Sequence, residues 1–344
     1  MDKYKKFICR KAFTAAEIHS DGKIFPCCPA WINYYEFGNV FDDSLDTIFN
    51  GEKAQEFRKS IMDGSYKYCN LDYCQGLSSF HVNTVASDFI SANGTSTKYP
   101  SFVKFCHDVS CNFKCVTCRD NHKVNSDEKT QYLNSLIDTH FLPLLKDADV
   151  ISLNGSGEVF ASEHCKELIK RTTQAYPDIK FDLHTNGSLC SEKTCMGLGI
   201  LDRLTRVQVS VNAASGRLHK KVTRSGSYKE IVKNLKWLSG LKKQGKLKEF
   251  RLVFVVSGLN YMELKPFMKM GIDLDAVVDF WEYRKWGTEL DKDYEKLAVF
   301  KLENRNYMRL AKIMEDDVFR HPLCCMDNVL REVSVKNAHR RVHE

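Results

Sequence analysis

Three cysteines, Cys111, Cys115 and Cys118, stand in the eight residues CNFKCVTC, and the cluster has no fourth member. Thiolates at such spacing are metal ligands. Structural zinc takes four protein ligands, commonly from paired C-x-x-C units, so a zinc knuckle would lack one here. Thiolates also hold iron–sulfur clusters, and a cluster held by three leaves one iron open. An open iron can bind a second molecule, as a catalytic site requires.

A second set, Cys9, Cys27, Cys69 and Cys74, offers four thiols, enough to saturate one iron–sulfur cluster or to build a zinc ribbon. Cys28 is one too many. Adjacent cysteines seldom ligate one cluster together, so one of Cys27 and Cys28 stands outside the set. Cys324 and Cys325, in HPLCCMD, could close a cluster or donate a hydrogen atom, but a structural or surface role is expected. Cys106, Cys165, Cys190 and Cys195 read as packing residues.

The elements that position these thiols follow from pattern. β-Branched and aromatic runs recur at 102–107, 149–155, 179–187, 206–213, 250–257 and 275–283. Amphipathic stretches of helix length, such as 161–175 and 227–243, separate them. Six strands alternating with helices predict an α/β fold of right-handed βα units, a full or partial TIM-like barrel, with an open doubly wound sheet as the alternative. The expected segments are a cysteine-rich module at 1–87, a linker at 88–101, a barrel at 102–289 and a helical tail at 290–344. The three-cysteine loop then leaves the carboxyl end of the first strand, the face on which barrel enzymes build their sites.

The chain has 344 residues, 43% of them apolar, so a large core can form. Lys and Arg number 51 against 44 Asp and Glu, an excess that suits an anionic ligand but falls short of a nucleic-acid footprint. The start, MDKYKKFICRKAF, has no apolar stretch of a signal peptide, and no run of about eighteen apolar residues predicts a membrane span. A cytoplasmic protein is expected, and fourteen cysteines in that setting favour metal over disulfides.

The pattern C-x-x-x-C-x-x-C after a first barrel strand resembles that of the radical S-adenosylmethionine (SAM) superfamily, with Thr117 where relatives often carry an aromatic residue. The resemblance implies a 4Fe–4S cluster on Cys111, Cys115 and Cys118, with SAM on its fourth iron. It also implies reductive cleavage of SAM to a 5′-deoxyadenosyl radical, driven by an electron donor such as flavodoxin or ferredoxin. LNGSGE, at 153–158, resembles the family's glycine-rich segment near the methionine amino group, which marks Gly155, Gly157 and Glu158. Ser210 corresponds to a residue near the SAM ribose, and Arg224 to one that pairs with the methionine carboxylate.

The amino-terminal cysteines resemble a SPASM/twitch module, placed here before the barrel rather than after it. That implies a second, auxiliary 4Fe–4S cluster on Cys9, Cys27, Cys69 and Cys74, accepting an electron or orienting substrate. The expected enzyme abstracts hydrogen from a sugar-like or other small substrate, in a dehydrogenation or epimerisation. Trp281, Tyr283 and Trp286 could wall its pocket. Maturation of a ribosomally made peptide is the alternative, although the first hundred residues leave no room for a leader-binding segment. A noncatalytic iron–sulfur or zinc protein is the third reading.

Overall fold

The computed structural model describes residues 8–70, 73–74, 89–90, 99–153, 156–285, 289–327 and 329–333. They form two compact units, one of residues 1–109 and 125–182, the other of 110–124 and 183–344. These units cut across the segments drawn from the sequence.

The first unit holds strands β1 (Ile8–Cys9), β2 (Ala15–His19), β3 (Lys23–Phe25), β4 (Gly38–Asn39), β5 (Phe89–Ile90), β6 (Phe102–Cys106) and β7 (Val150–Leu153). β6 lies between β2 and β7, parallel to both, and β3 and β4 extend the sheet antiparallel beyond β2. β1 pairs separately with β5. The cysteine-rich segment thus supplies a strand parallel to the first βα strand, which periodicity did not reveal. Its own core gathers Phe13, Ile18, Phe49 and Phe57, all buried. Arg58 joins them, its Nε donating to the Ala12 carbonyl at 3.0 Å and its guanidinium 4.4 Å from the centre of the Phe49 ring. Gly22 turns the chain between β2 and β3 at φ +80°, where a Cβ would lie 2.2 Å from Asn39 Oδ1.

Strand β8 (Lys180–Thr185) begins in the first unit and ends in the second. The second unit continues with β9 (Leu204–Ser210), β10 (Glu249–Val256), β11 (Val277–Glu282) and β12 (Cys324–Met326). β10 pairs parallel with β9 and β11, and β11 with β12. Helices Tyr228–Lys243 and Leu264–Asp273 make the crossovers, the first opened by Ser227, whose side chain accepts from the Glu230 N–H. Alternation gives this sheet two faces. Val209, Leu252, Phe254, Val278 and Phe280 are buried on one, with the Phe254 and Phe267 rings 4.7 Å apart.

All six strands expected from the sequence are present, joined by helices in an α/β fold. After residue 290 the chain forms the expected helices at Tyr294–Leu297 and Tyr307–Met314, but it also returns as β12. The open edge of β11 explains the return, since its backbone groups need partners. Cys324 and Cys325 therefore sit on a strand. Gly155 and Trp286 lie outside the described residues.

Candidate cluster sites

The three-cysteine loop belongs to the second unit and is held at several points. The Cys111 N–H donates to the Lys123 carbonyl at 2.7 Å, closing the loop into a bridge. Segment 222–226 clasps its outer side. The Val116 N–H donates to the Val222 carbonyl at 2.8 Å, His122 Nε2 bonds Ser225 Oγ at 2.9 Å, and Arg224 reaches Asp120 at 3.5 Å. Gly226, at φ +76°, leaves room for the Phe113 ring, which a Cβ would meet at 2.4 Å. On another side Asn186 Nδ2 donates to Asn112 Oδ1 at 2.9 Å, and Asn112 Nδ2 to Ser188 Oγ at 3.0 Å.

Cys111 is buried, Cys115 half-buried and Cys118 exposed. Burial, then the nearby Cys118 and Cys111, push the Cys115 thiol up to about 12. Three thiols that feel one another's charge suit a cationic cluster, which binds all of them as thiolates. Arg119 donates from Nε to Cys118 Sγ at 3.3 Å, placing a cation beside the anionic set.

The other residues marked for SAM divide between the units. Ser210 Oγ bonds His184 Nε2 at 2.8 Å, and Arg224 is exposed beside Asp120, at φ +53°. These two share the second unit with the cysteine loop. Glu158 lies in the first unit, 1% exposed, with Oε1 accepting from the Phe160 N–H at 3.4 Å. Gly157 is half-buried next to it. Asn112, Asn186, Ser188, Asp120 and His122, all against the cysteine loop, carry no motif of their own.

In the first unit, Cys9, Cys27, Cys69 and Cys74 converge. The Cys27 thiol is pushed up by burial first, then by Cys9, Cys74 and Cys69. Cys69 is raised likewise, by burial and then Cys9 and Cys74. Cys28 faces elsewhere. Burial and then Glu17 raise its thiol, with Lys104 lowering it. The Asn70 N–H donates to the Trp31 carbonyl at 2.7 Å and the Cys74 N–H to the Asn70 carbonyl at 2.9 Å, bringing the late pair back to the early one.

A buried histidine pair stands just after β6. His107 Nε2 and His164 Nε2 are 2.7 Å apart, and His164 Nδ1 lies 2.8 Å from Asn134 Oδ1. With Asn134 Oδ1 accepting from Nδ1–H, His164 Nε2 accepts from His107. His107 Nδ1 is then a buried acceptor with no hydrogen-bond partner among the described residues. Burial holds both rings neutral, His164 down to about 4. A folded pKa below the unfolded value of about 6.5 means that the unfolded chain binds more protons in between. Stability is therefore expected to fall as pH drops from about 6.5 towards 4, by on the order of 3 kcal/mol from His164. Glu17, held at about 2, adds its own loss as pH falls from about 4.3 towards 2. Urea midpoints at pH 7.5 and 5 check this, and His164→Asn should flatten the difference.

Residues 9–75 match the family model of SPASM, described as an iron–sulfur cluster-binding domain. No curated protein matches the chain. Similar solved structures include Streptococcus suis SuiB bound to precursor peptide SuiA, at 15% identity and TM-score 0.45, covering 87% of this chain and 59% of that one. Another is anSMEcpe with bound AdoMet and Cp18Cys peptide, at 18% identity and TM-score 0.40, covering 65% and 62%. A third is BtrN in complex with AdoMet and 2-DOIA, at 20% identity and TM-score 0.28, covering 44% and 56%. The chain spans about three fifths of SuiB's length.

The amino-terminal module is thus an iron–sulfur domain of SPASM type. The C-x-x-x-C-x-x-C loop adds a second cysteine set, in the second unit. An iron–sulfur cluster is the cofactor that this domain match describes, and the amino-terminal thiols fit it. Among the described residues, no helix is long and apolar enough to cross a membrane.

Proposed function

We propose that this protein is an oxidoreductase-type radical SAM enzyme that abstracts hydrogen from a polar, sugar-like small molecule. The bound cluster and SAM supply the 5′-deoxyadenosyl radical. Cys111, Cys115 and Cys118 hold that cluster and leave its fourth iron to SAM. Gly155, Gly157 and Glu158 receive the methionine amino end, Ser210 the ribose and Arg224 the carboxylate. Arg224 has the guanidinium fork for that carboxylate, and the clasp through Asp120 keeps it against the loop. Cys9, Cys27, Cys69 and Cys74 hold the auxiliary cluster, as electron acceptor or substrate anchor. Segments 1–87, 102–289 and 290–344 act as auxiliary module, catalytic core and extension, joined through 88–101. A cytoplasmic setting, with flavodoxin or ferredoxin as donor, completes the reading.

The substrate class rests on one observation. The strand face opposite the apolar one in the second unit carries Gln208, Ser210, Arg251 and Asp279, with Arg251 in register with Gln208. Arg251 Nε donates to Asp279 Oδ2 at 2.6 Å. Gln208, Ser210 and the Arg251–Asp279 pair make that face polar, and a hydroxyl-rich ligand suits such a lining. Peptide substrates are the second reading, since SuiB and anSMEcpe are both described with bound peptides. The test is anaerobic reconstitution, reduction and assay for 5′-deoxyadenosine. Formation of 5′-deoxyadenosine, with deuterium passing into it from a labelled aminocyclitol or sugar, supports the reading. No 5′-deoxyadenosine from a fully loaded protein refutes it, and transfer from peptides alone replaces the substrate class.

A further inference from the structure

A third set of metal-binding groups lies in the first unit, apart from both cysteine clusters. Glu17 and His19, two apart on β2, share a face of the sheet. β6 is parallel to β2 with Glu17 opposite Lys104 and His19 opposite Cys106, so Lys104 and Cys106 come to that same face. A carboxylate oxygen, an imidazole nitrogen and a thiol sulfur from Glu17, His19 and Cys106 all lie within 4.8 Å of one another. His19 Nε2 is 2.9 Å, and Cys106 Sγ 3.7 Å, from the same oxygen, Glu17 Oε1. Lys104 Nζ takes the other oxygen, Oε2, at 3.2 Å.

We propose that Glu17, His19 and Cys106 form a zinc site with one open coordination position. One sulfur, one nitrogen and one oxygen donor are the ligands that zinc accepts. Around a tetrahedral zinc, such donors stand roughly 3.3–3.7 Å apart, given bond lengths of about 2.0–2.3 Å. The trio needs only small shifts to reach that geometry, the His19–Glu17 pair opening from 2.9 Å. All three ligands lie on two strands, β2 and β6, held by a ladder of backbone hydrogen bonds, so the ligands are pre-positioned. His19, with a side chain 26% exposed, is the opening to solvent, whereas Glu17 and Cys106 are buried.

The ammonium of Lys104 does not compete for the ion. It sits on Oε2, where an outer hydrogen bond orients a ligating carboxylate. With Cys106 as thiolate, two anionic ligands face one zinc and one ammonium, a charge balance that this half-buried site can hold. Three protein ligands leave the fourth position for an oxygen or nitrogen donor of a small ligand, the arrangement of catalytic rather than structural zinc. Cys28 lies within the field of the same Glu17 and Lys104. The inference is independent of the SAM chemistry.

The test uses the full chain, anaerobically reconstituted with iron and sulfide and then equilibrated with zinc and desalted. Wild type should retain one zinc per chain, and zinc-edge X-ray absorption should show a single sulfur neighbour with nitrogen and oxygen donors. His19→Ala, at a partly exposed position that the core does not need, should lose this zinc while keeping its iron. Cys106→Ser should lose the zinc–sulfur distance. A shell of four sulfurs would place the metal among Cys9, Cys27, Cys69 and Cys74 and overturn the site. So would zinc retained undiminished by His19→Ala, or none retained by wild type.

Discussion

Replacing Cys111, Cys115 and Cys118 together by alanine should halve the iron, from about eight to about four per chain, and abolish 5′-deoxyadenosine formation. The loop should survive the change, because its hold does not depend on the thiols alone. The Cys111 N–H bond to Lys123, the Val116 N–H bond to Val222 and the Asn186–Asn112 bond involve backbone or amide groups that alanine leaves in place. Iron analysis and EPR of the reduced protein, with and without SAM, separate the outcomes. The remaining signal should be insensitive to SAM. A variant that is folded yet holds no iron would mean that the chain has no second cluster. A variant that still forms 5′-deoxyadenosine would remove the three-cysteine loop from catalysis.

Changing Cys27 to serine should produce the complementary loss, about four irons per chain, with SAM cleavage kept and product formation lost. Changing Cys28 should leave the iron content as it was. The contrast follows from what each thiol faces. Cys27 is coupled electrostatically to Cys9, Cys69 and Cys74, whereas Cys28 is coupled to Glu17 and Lys104. A cluster on the first four removes the mutual repulsion that now raises their thiols. Equal iron loss in both variants would show that adjacent cysteines share the ligation. If zinc rather than iron leaves with Cys27, the module is a structural staple and no electron acceptor stands in the first unit.

Both expectations rest on residues legible in the sequence, because ligand spacing within a loop is a local property. The three-cysteine loop, the strand before it and the helices at 161–175 and 227–243 were readable from pattern, as periodicity and capping residues act over a few positions.

Other features needed the fold. Cys106 reads as an apolar strand residue, yet β2 sets Glu17 and His19 beside it across nearly ninety positions of chain. Nothing in residues 15–19 announces a strand that pairs with 102–106. The return of Cys324 and Cys325 on β12 follows from the open edge of β11, and an edge exists only once a sheet has formed. The amides that dock on the cysteine loop, Asn186 and Asn112, are likewise joined over 74 positions. The sequence by itself determined which atoms can bind metal and the local spacing of the cysteine loop. Tertiary structure decided which distant thiols, imidazoles and carboxylates meet, because that depends on strand order and register, and neither is encoded in any short stretch of chain.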